Sequence, residues 1–180
     1  VSSGGNVSTS RKINIGYWAI FFNSDNGYKI ENFKFADNTC LTDISHYFKD
    51  ITVDSDYTIT EDSLVTDVHL SGNGNISVNG NSKDNIFFGN SGNNTYQGNG
   101  GNDTIIDTEG GDDTYIYNLG DGYDIITDIG GNDTIRLGEG ITSNMIHMKR
   151  LHNNNLIIYF ENQDGQIEIQ NHLDESNNYK

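Results

Sequence analysis

A nine-residue period in the centre of the chain limits its fold more than any other feature. Ser71–Asn79 (SGNGNISVN), Gly80–Phe88 (GNSKDNIFF), Gly89–Gln97 (GNSGNNTYQ) and Gly98–Ile106 (GNGGNDTII) follow one another in one phase. Asp107–Ile116 is one residue longer and Tyr117–Thr127 two longer, after which Asp128–Arg136 (DIGGNDTIR) restores the period. Each block reads G-G-x-G-x-D-x-U-x, where the apolar U residues are Val78, Phe87, Tyr96, Ile105, Tyr115, Ile126 and Ile135. A helix would need apolar spacing of three and four, and every glycine would weaken it by roughly 1 kcal/mol. A block is therefore a turn followed by a very short strand, and a regular run of such units is the signature of a solenoid. With two blocks per coil and one strand on each side, the expected fold is all-β: a parallel β-roll. One inward stack would hold Phe87, Ile105 and Ile126; the other Val78, Tyr96, Tyr115 and Ile135.

Sixteen of the 21 glycines lie between Gly72 and Gly140, which separates three regions. Residues 1–69 form an N-terminal flank, 70–140 the roll and 141–180 a C-terminal flank. Both flanks are expected to be β-rich caps over the ends of the roll, since an uncapped parallel stack exposes strand edges and apolar layers. Strands are expected over Ile13–Phe22, Ile51–Thr60, Asn155–Phe160 and Gln166–Gln170, the last two joined at Gln163, Asp164 and Gly165. A short helix is expected over Leu41–Lys49.

Between Asp84 and Glu139 there are eleven acidic side chains and one base, Arg136, within a chain of net charge -16. That charge repels nucleic acid and anionic membranes. The longest apolar run, Trp18–Phe22, falls far short of the ~20 residues a spanning helix needs, so no transmembrane segment is expected. Carboxylates set in glycine turns, with backbone carbonyls facing the same space, form an oxygen-only donor set that suits calcium. Magnesium prefers a near-ideal octahedron and keeps its waters. Transition metals would want His or Cys, and none occurs between Leu70 and Ser143.

If two blocks make a coil, each sixth-position side chain lies beneath that of the second block on. This pairs Asp103 with Asp124 and Asp113 with Asp133 as two-carboxylate sites, and Asn85 with Asp103 and Asn94 with Asp113 as weaker ones. Asp107, Asp121 or Asp128 can substitute where the insertions fall. The turn glycines Gly89, Gly98, Gly100, Gly110, Gly111, Gly122, Gly130 and Gly131 complete the expected calcium environment. Ile76 offers no ligand, so the roll should begin there without metal.

The residues GNGGNDTII, GGDDTYIYNLGDGYDIITD and GGNDTIRLGEGIT resemble the repeats-in-toxin (RTX) family, named for its haemolysin-type calcium-binding nonapeptide. IENFKFADNTCLTDI (Ile30–Ile44) resembles the segment that closes such a region, although here it precedes the repeats. We therefore expect a piece of a longer array, the tail of one module followed by most of the next. Departures from the family pattern are Lys83 for Gly, Asn85 and Asn94 for Asp, and Asn38 for Gly. The resemblance implies export by a type I secretion system of a Gram-negative bacterium. It also implies an extracellular or cell-surface location and folding of the module in extracellular calcium.

No nucleophile, base and oxyanion donors can be placed together from this sequence, so no enzyme activity is expected. The five histidines lie in the flanks without a metal-binding motif, and Cys40 reads as a buried apolar residue. The function expected is a calcium-binding structural module of a toxin, adhesin or surface-layer protein, whose partners are calcium and the parent's neighbouring domains. The alternative is an accessory module of a secreted enzyme, or a flank that itself binds a glycan or host receptor.

Overall fold

The computed structural model describes residues 49–171 continuously and, before them, only four strands. Those strands are β1 (Lys12–Ile15), β2 (Trp18–Phe21), β3 (Phe33–Lys34) and β4 (Cys40–Leu41), paired antiparallel as β1 with β2 and β3 with β4. They belong to a first unit, Val1–Phe48, distinct from the second, Lys49–Lys180. The helix expected over 41–49 lies outside the described residues except at its ends, where Leu41 is in a strand and Lys49 in a bend.

In the second unit the chain winds through ten short strands that alternate between two sheets. They are β5 (Asp50–Val53), β6 (Tyr57–Thr58), β7 (Asp67–Leu70), β8 (Ser77–Asn79), β9 (Ile86–Phe88), β10 (Thr95–Gln97), β11 (Thr104–Asp107), β12 (Thr114–Tyr117), β13 (Tyr123–Asp128) and β14 (Thr134–Leu137). Even-numbered strands pair in parallel in a five-stranded sheet, and odd-numbered strands do the same in the other. The result is a parallel β-solenoid of about five coils, the expected β-roll architecture. Strands of three or four residues are all that a nine-residue unit can hold once its turn is built. The second unit takes in residues 49–69, and the coils of β5, β6 and β7 continue the stack below the first glycine-rich block.

Pairing register places Val78, Tyr96, Tyr115 and Ile135 in one line, and Phe87, Ile105 and Ile126 in the other. Val68 extends the second line downward and Ile169 upward. Successive residues of a strand point to opposite faces, so a three-residue strand gives the core only its middle side chain. Large residues compensate: Tyr96 stacks on Phe87 and Tyr115, with centroids 6.2 and 5.5 Å apart.

After β14 the chain makes a single 3-10 turn (Ser143–Met145) and an antiparallel meander of β15 (Ile146–Arg150), β16 (Leu156–Phe160) and β17 (Gln166–Ile169). The β17 strand pairs in parallel with β13, taking the place of a sixth coil and extending that sheet to eight strands. Ile158, Phe160 and Ile167 join the roll's own core, and the Phe160 ring lies 5.2 Å from that of Tyr117. Among the described residues no helix is long and apolar enough to cross a membrane.

Close approach between coils fixes glycine at the fourth position of the turns. A Cβ on Gly92 would strike the carbonyl of Gly74, one on Gly111 that of Gly92, and one on Gly131 that of Gly111. Gly111 and Gly131 also have φ of 135° and 131°, a region L side chains rarely adopt. Gly111→Ala is therefore expected to destabilise the folded unit by on the order of 1–3 kcal/mol. Gly74→Ala adds a methyl to open space and should change stability by less than about 0.5 kcal/mol. Parallel thermal melts compare the two.

Candidate metal centre

The turns of the roll line two opposite edges. Turns 71–76, 89–94, 107–113 and 128–133 stack on one edge; 80–85, 98–103 and 118–124 stack on the other. At the sixth position the side chains of Asn94, Asp103, Asp113, Asp124 and Asp133 reach down to the coil below and accept a backbone hydrogen bond. On the first edge the Ile76 N–H donates to Asn94 Oδ1 (3.1 Å), the Asn94 N–H to Asp113 Oδ1 (2.7 Å) and the Asp113 N–H to Asp133 Oδ1 (2.9 Å). On the second, the Asn85 N–H donates to Asp103 Oδ1 (2.8 Å) and the Asp103 N–H to Asp124 Oδ1 (3.0 Å). The structure thus brings together the every-second-block pairs, with each carboxylate bonded to the backbone of its partner.

A second ladder runs the other way through the fifth position, where the side chain bonds the coil above. Asn75 Oδ1 accepts from Asn93 N–H, Asn93 Oδ1 from Asp112 N–H and Asp112 Oδ1 from Asn132 N–H. On the opposite edge Asp84 Oδ1 accepts from Asn102 N–H and Asn102 Oδ1 from Tyr123 N–H. Sequence reasoning passed over this ladder, although its trace was visible: Asn75, Asp84, Asn93, Asn102, Asp112 and Asn132 all carry a short side-chain carbonyl, and Tyr123 alone does not.

The first position adds two carboxylates. Asp107 and Asp128 lie in register on β11 and β13. Each accepts from a core tyrosine, Tyr96 Oη to Asp107 Oδ2 at 2.7 Å and Tyr115 Oη to Asp128 Oδ2 at 2.6 Å. Burial raises both phenols above their ordinary range, and the accepting carboxylates add to that, so the hydroxyls remain donors. The tyrosine stack therefore ties the core to the acidic edge. Asp107 fits because Gly89 below it has no Cβ to strike it, and Gly98 leaves the same space for Asp103.

Asp113, Asp128 and Asp133 form a cluster in which one oxygen from each lies within 4.8 Å of the others. Asp113 Oδ2 and Asp128 Oδ1 are buried without a hydrogen-bond partner, as is Asp103 Oδ2 on the second edge. The one base of the acidic stretch, Arg136, is exposed on β14. Burial pushes Asp103 up to about 8 and Asp113, Asp124 and Asp128 up to about 7. Neighbouring carboxylates add to the rise, while the ladder N–H groups oppose it at Asp103, Asp113 and Asp124, as the Tyr115 hydroxyl does at Asp128. Asp121 is raised by burial as well. Oxygen-only donors, orphaned buried oxygens and an excess of negative charge fit a hard divalent cation.

The Asn layers differ in kind. Asn94 donates from Nδ2 to Asn90 O and Oδ1 while its Oδ1 serves the ladder, so this layer is closed by its own amide. Asn90 Nδ2 likewise reaches the carbonyls of Ser71 and Gly74, and Asn99 Nδ2 that of Gly80. Asn85 accepts from Asn81 N–H, and its Nδ2 lacks a partner. Among the glycines, the Gly122 carbonyl already accepts from Tyr117 Oη and Gln166 N–H. Gly100, Gly110, Gly111, Gly130 and Gly131 lie in the turns that carry the carboxylates.

Fold and site together define a parallel β-solenoid of the β-roll kind whose turn edges carry a group of carboxylates able to hold a metal ion. No family model matches the chain, and no curated protein matches it.

The raised carboxyls set a pH dependence for the metal-free protein. Their folded pKa of about 7–8 exceeds the unfolded value of about 3.9, so the folded state binds more protons. Their stabilising contribution is full below pH about 4 and is lost as the pH rises through about 7–8. In calcium-free buffer the melting temperature should be higher at pH 5.5 than at pH 8.5. A divalent cation held by these carboxylates should reverse that order, because protons and cation compete for the same oxygens.

Proposed function

We infer that this chain is a non-catalytic calcium-binding module of a large secreted or surface bacterial protein, one that completes its fold by taking up calcium after export. The observation that carries the reading is the stack of buried carboxylates with orphaned oxygens, Asp103, Asp113 and Asp128, in glycine turns that offer no base. The resemblance of the repeats to the RTX pattern supports the cation, the extracellular setting and type I secretion. A low-calcium cytosol leaves the carboxylates to repel one another; extracellular calcium at millimolar level matches the affinity range of extracellular modules, about 10⁻⁴–10⁻³ M. Binding energy is then folding energy, because the unfolded chain has no preformed site. The module's partners on this reading are calcium and the neighbouring domains of its parent.

The two kinds of layer divide the labour. In the Asn90 and Asn94 layer an amide N–H does for the carbonyls what a cation does for the carboxylates above it. Asp113 sits at the boundary, capping Asn94 below and clustering with Asp128 and Asp133 above.

Asp113→Ala should weaken calcium binding by tenfold or more, about 1.4 kcal/mol, in isothermal titration. Asn94→Ala should lower stability with or without calcium and leave affinity within about threefold, a shift of roughly 0.7 kcal/mol. Equal effects of the two would contradict the assignment, as would a chain that releases no heat with calcium and melts identically in chelator. Hydrogen exchange resolves the layers: without calcium, protection should persist in β7–β10 and be lost in β11–β14, and calcium should restore it.

A further inference from the structure

Asn26, Asn73, Asn79 and Asn99 are each followed by glycine. Such a pair is chemically reactive, because a residue without a side chain leaves its amide nitrogen open to the carboxamide before it. Reaction needs two freedoms: the carboxamide must be able to turn onto the glycine nitrogen, and that nitrogen must not be held elsewhere. Asn26 lies outside the described residues, and the structure separates the other three. Beside Asn79 the nitrogen is tied, since the Gly80 N–H donates to Gln97 O at 2.8 Å. At Asn99 the carboxamide is tied at both ends: Nδ2 donates to Gly80 O at 2.8 Å, and Oδ1 accepts from Gln97 Nε2 at 2.8 Å. Asn73 and Gly74 are both exposed in a bend, and among the described residues neither the Asn73 carboxamide nor the Gly74 N–H has a hydrogen-bond partner. A methyl on Gly74 would meet nothing within 4 Å, so the space around the pair is open.

We propose that Asn73 is a self-modification site, where the folded chain deamidates and converts the lowest glycine turn of the first edge to an isoaspartyl form. The Gly74 nitrogen, its proton lost to base in the solvent, attacks the Asn73 side-chain carbonyl carbon. The new C–N bond closes a cyclic succinimide, and the carboxamide nitrogen leaves as ammonia after taking protons from water. Water then opens the ring at one carbonyl to give aspartate or at the other to give isoaspartate. Isoaspartate routes the main chain through the former side chain and lengthens the turn by a methylene. The turn has no room for that at its inner side: Gly92 packs so closely that a Cβ there would strike the Gly74 carbonyl, and Asn90 Nδ2 donates to the same carbonyl at 3.2 Å. The modification therefore loosens the layer of Asn90 and Asn94 from below. No carboxylate of the metal cluster takes part, so the inference stands apart from the calcium assignment.

Ageing the chain in mildly alkaline buffer, with its fold checked by circular dichroism, tests this. Peptide mapping by mass spectrometry locates each amide turned into an acid, and methyl labelling by an isoaspartyl methyltransferase identifies the isoaspartate. In the folded protein Asn73 should react at least about tenfold faster than Asn79 or Asn99, whose tied groups are released only when the coils open. In urea, where nothing is tied, the three rates should converge to within about threefold. Gly74→Ala crowds the attacking nitrogen and should slow reaction at Asn73 by at least about tenfold while melting as the parent does. Aged protein rich in isoaspartate should melt below fresh protein, whereas Asn73→Asp, which adds the charge and keeps the backbone, should melt close to it. An unreacted Asn73, equal rates at Asn73 and at Asn79 or Asn99 in the folded protein, or Gly74→Ala ageing as fast as the parent would overturn the site. Aged protein that melts as fresh protein does would overturn its effect on the turn.

Discussion

From Ile76 and Asn85 upward, each coil of this protein is held to the next by a carboxylate or carboxamide that accepts the backbone N–H of the coil below, and the rest of the roll follows from that contact. Because the acceptor recurs at one position of a nearly constant repeat, it stacks in a column. A column of carboxylates cannot stay ionised in a buried edge without a counter-charge. Asp103, Asp113 and Asp128 are thus placed to hold either a proton or a cation. Each three-residue strand contributes a single inward side chain to the core.

The sequence revealed most of this through its spacing. The nine-residue period specifies a turn and a strand of fixed length, so Val78 and Tyr96, or Phe87 and Ile105, had to fall in register once two blocks made a coil. The sixth-position pairs followed from the same count. Other features left weaker traces. The lower coils of β5, β6 and β7 carry no glycine motif, because their turns are closed by contacts peculiar to them, such as the Ser63 hydroxyl on the Val65 N–H and the Lys83 ammonium on the Ser63 carbonyl. The fifth-position ladder was written in Asn and Asp, residues so common in turns that their recurrence reads as turn propensity. The bonds from Tyr96 and Tyr115 to the first-position aspartates join residues eleven and thirteen apart, a separation without meaning until the two sheets face each other.

Exchange of Asn for Asp along one column changes the material of the stack while leaving its shape alone. Asn94 and Asp113 accept the same ladder bond in the same geometry. The amide brings its own donor, the carboxylate brings a charge, and only the second needs something from solution. The column thus passes from amide layers that close themselves to carboxylate layers that carry charge. Lys83, in place of glycine near the base, serves the same end by placing an ammonium against a turn carbonyl.

The two ends of the second unit also differ in how they would meet a pulling force. Among the described residues the β5 strand is an edge strand paired only with β7, whereas β17 is held between β13 and β16. Interstrand bonds run along the stack. Tension applied through β5 therefore loads them one strand at a time, like a zip, while tension through β17 has to break two ladders together. Tension on the second unit would therefore peel β5 first and reach the acidic coils later.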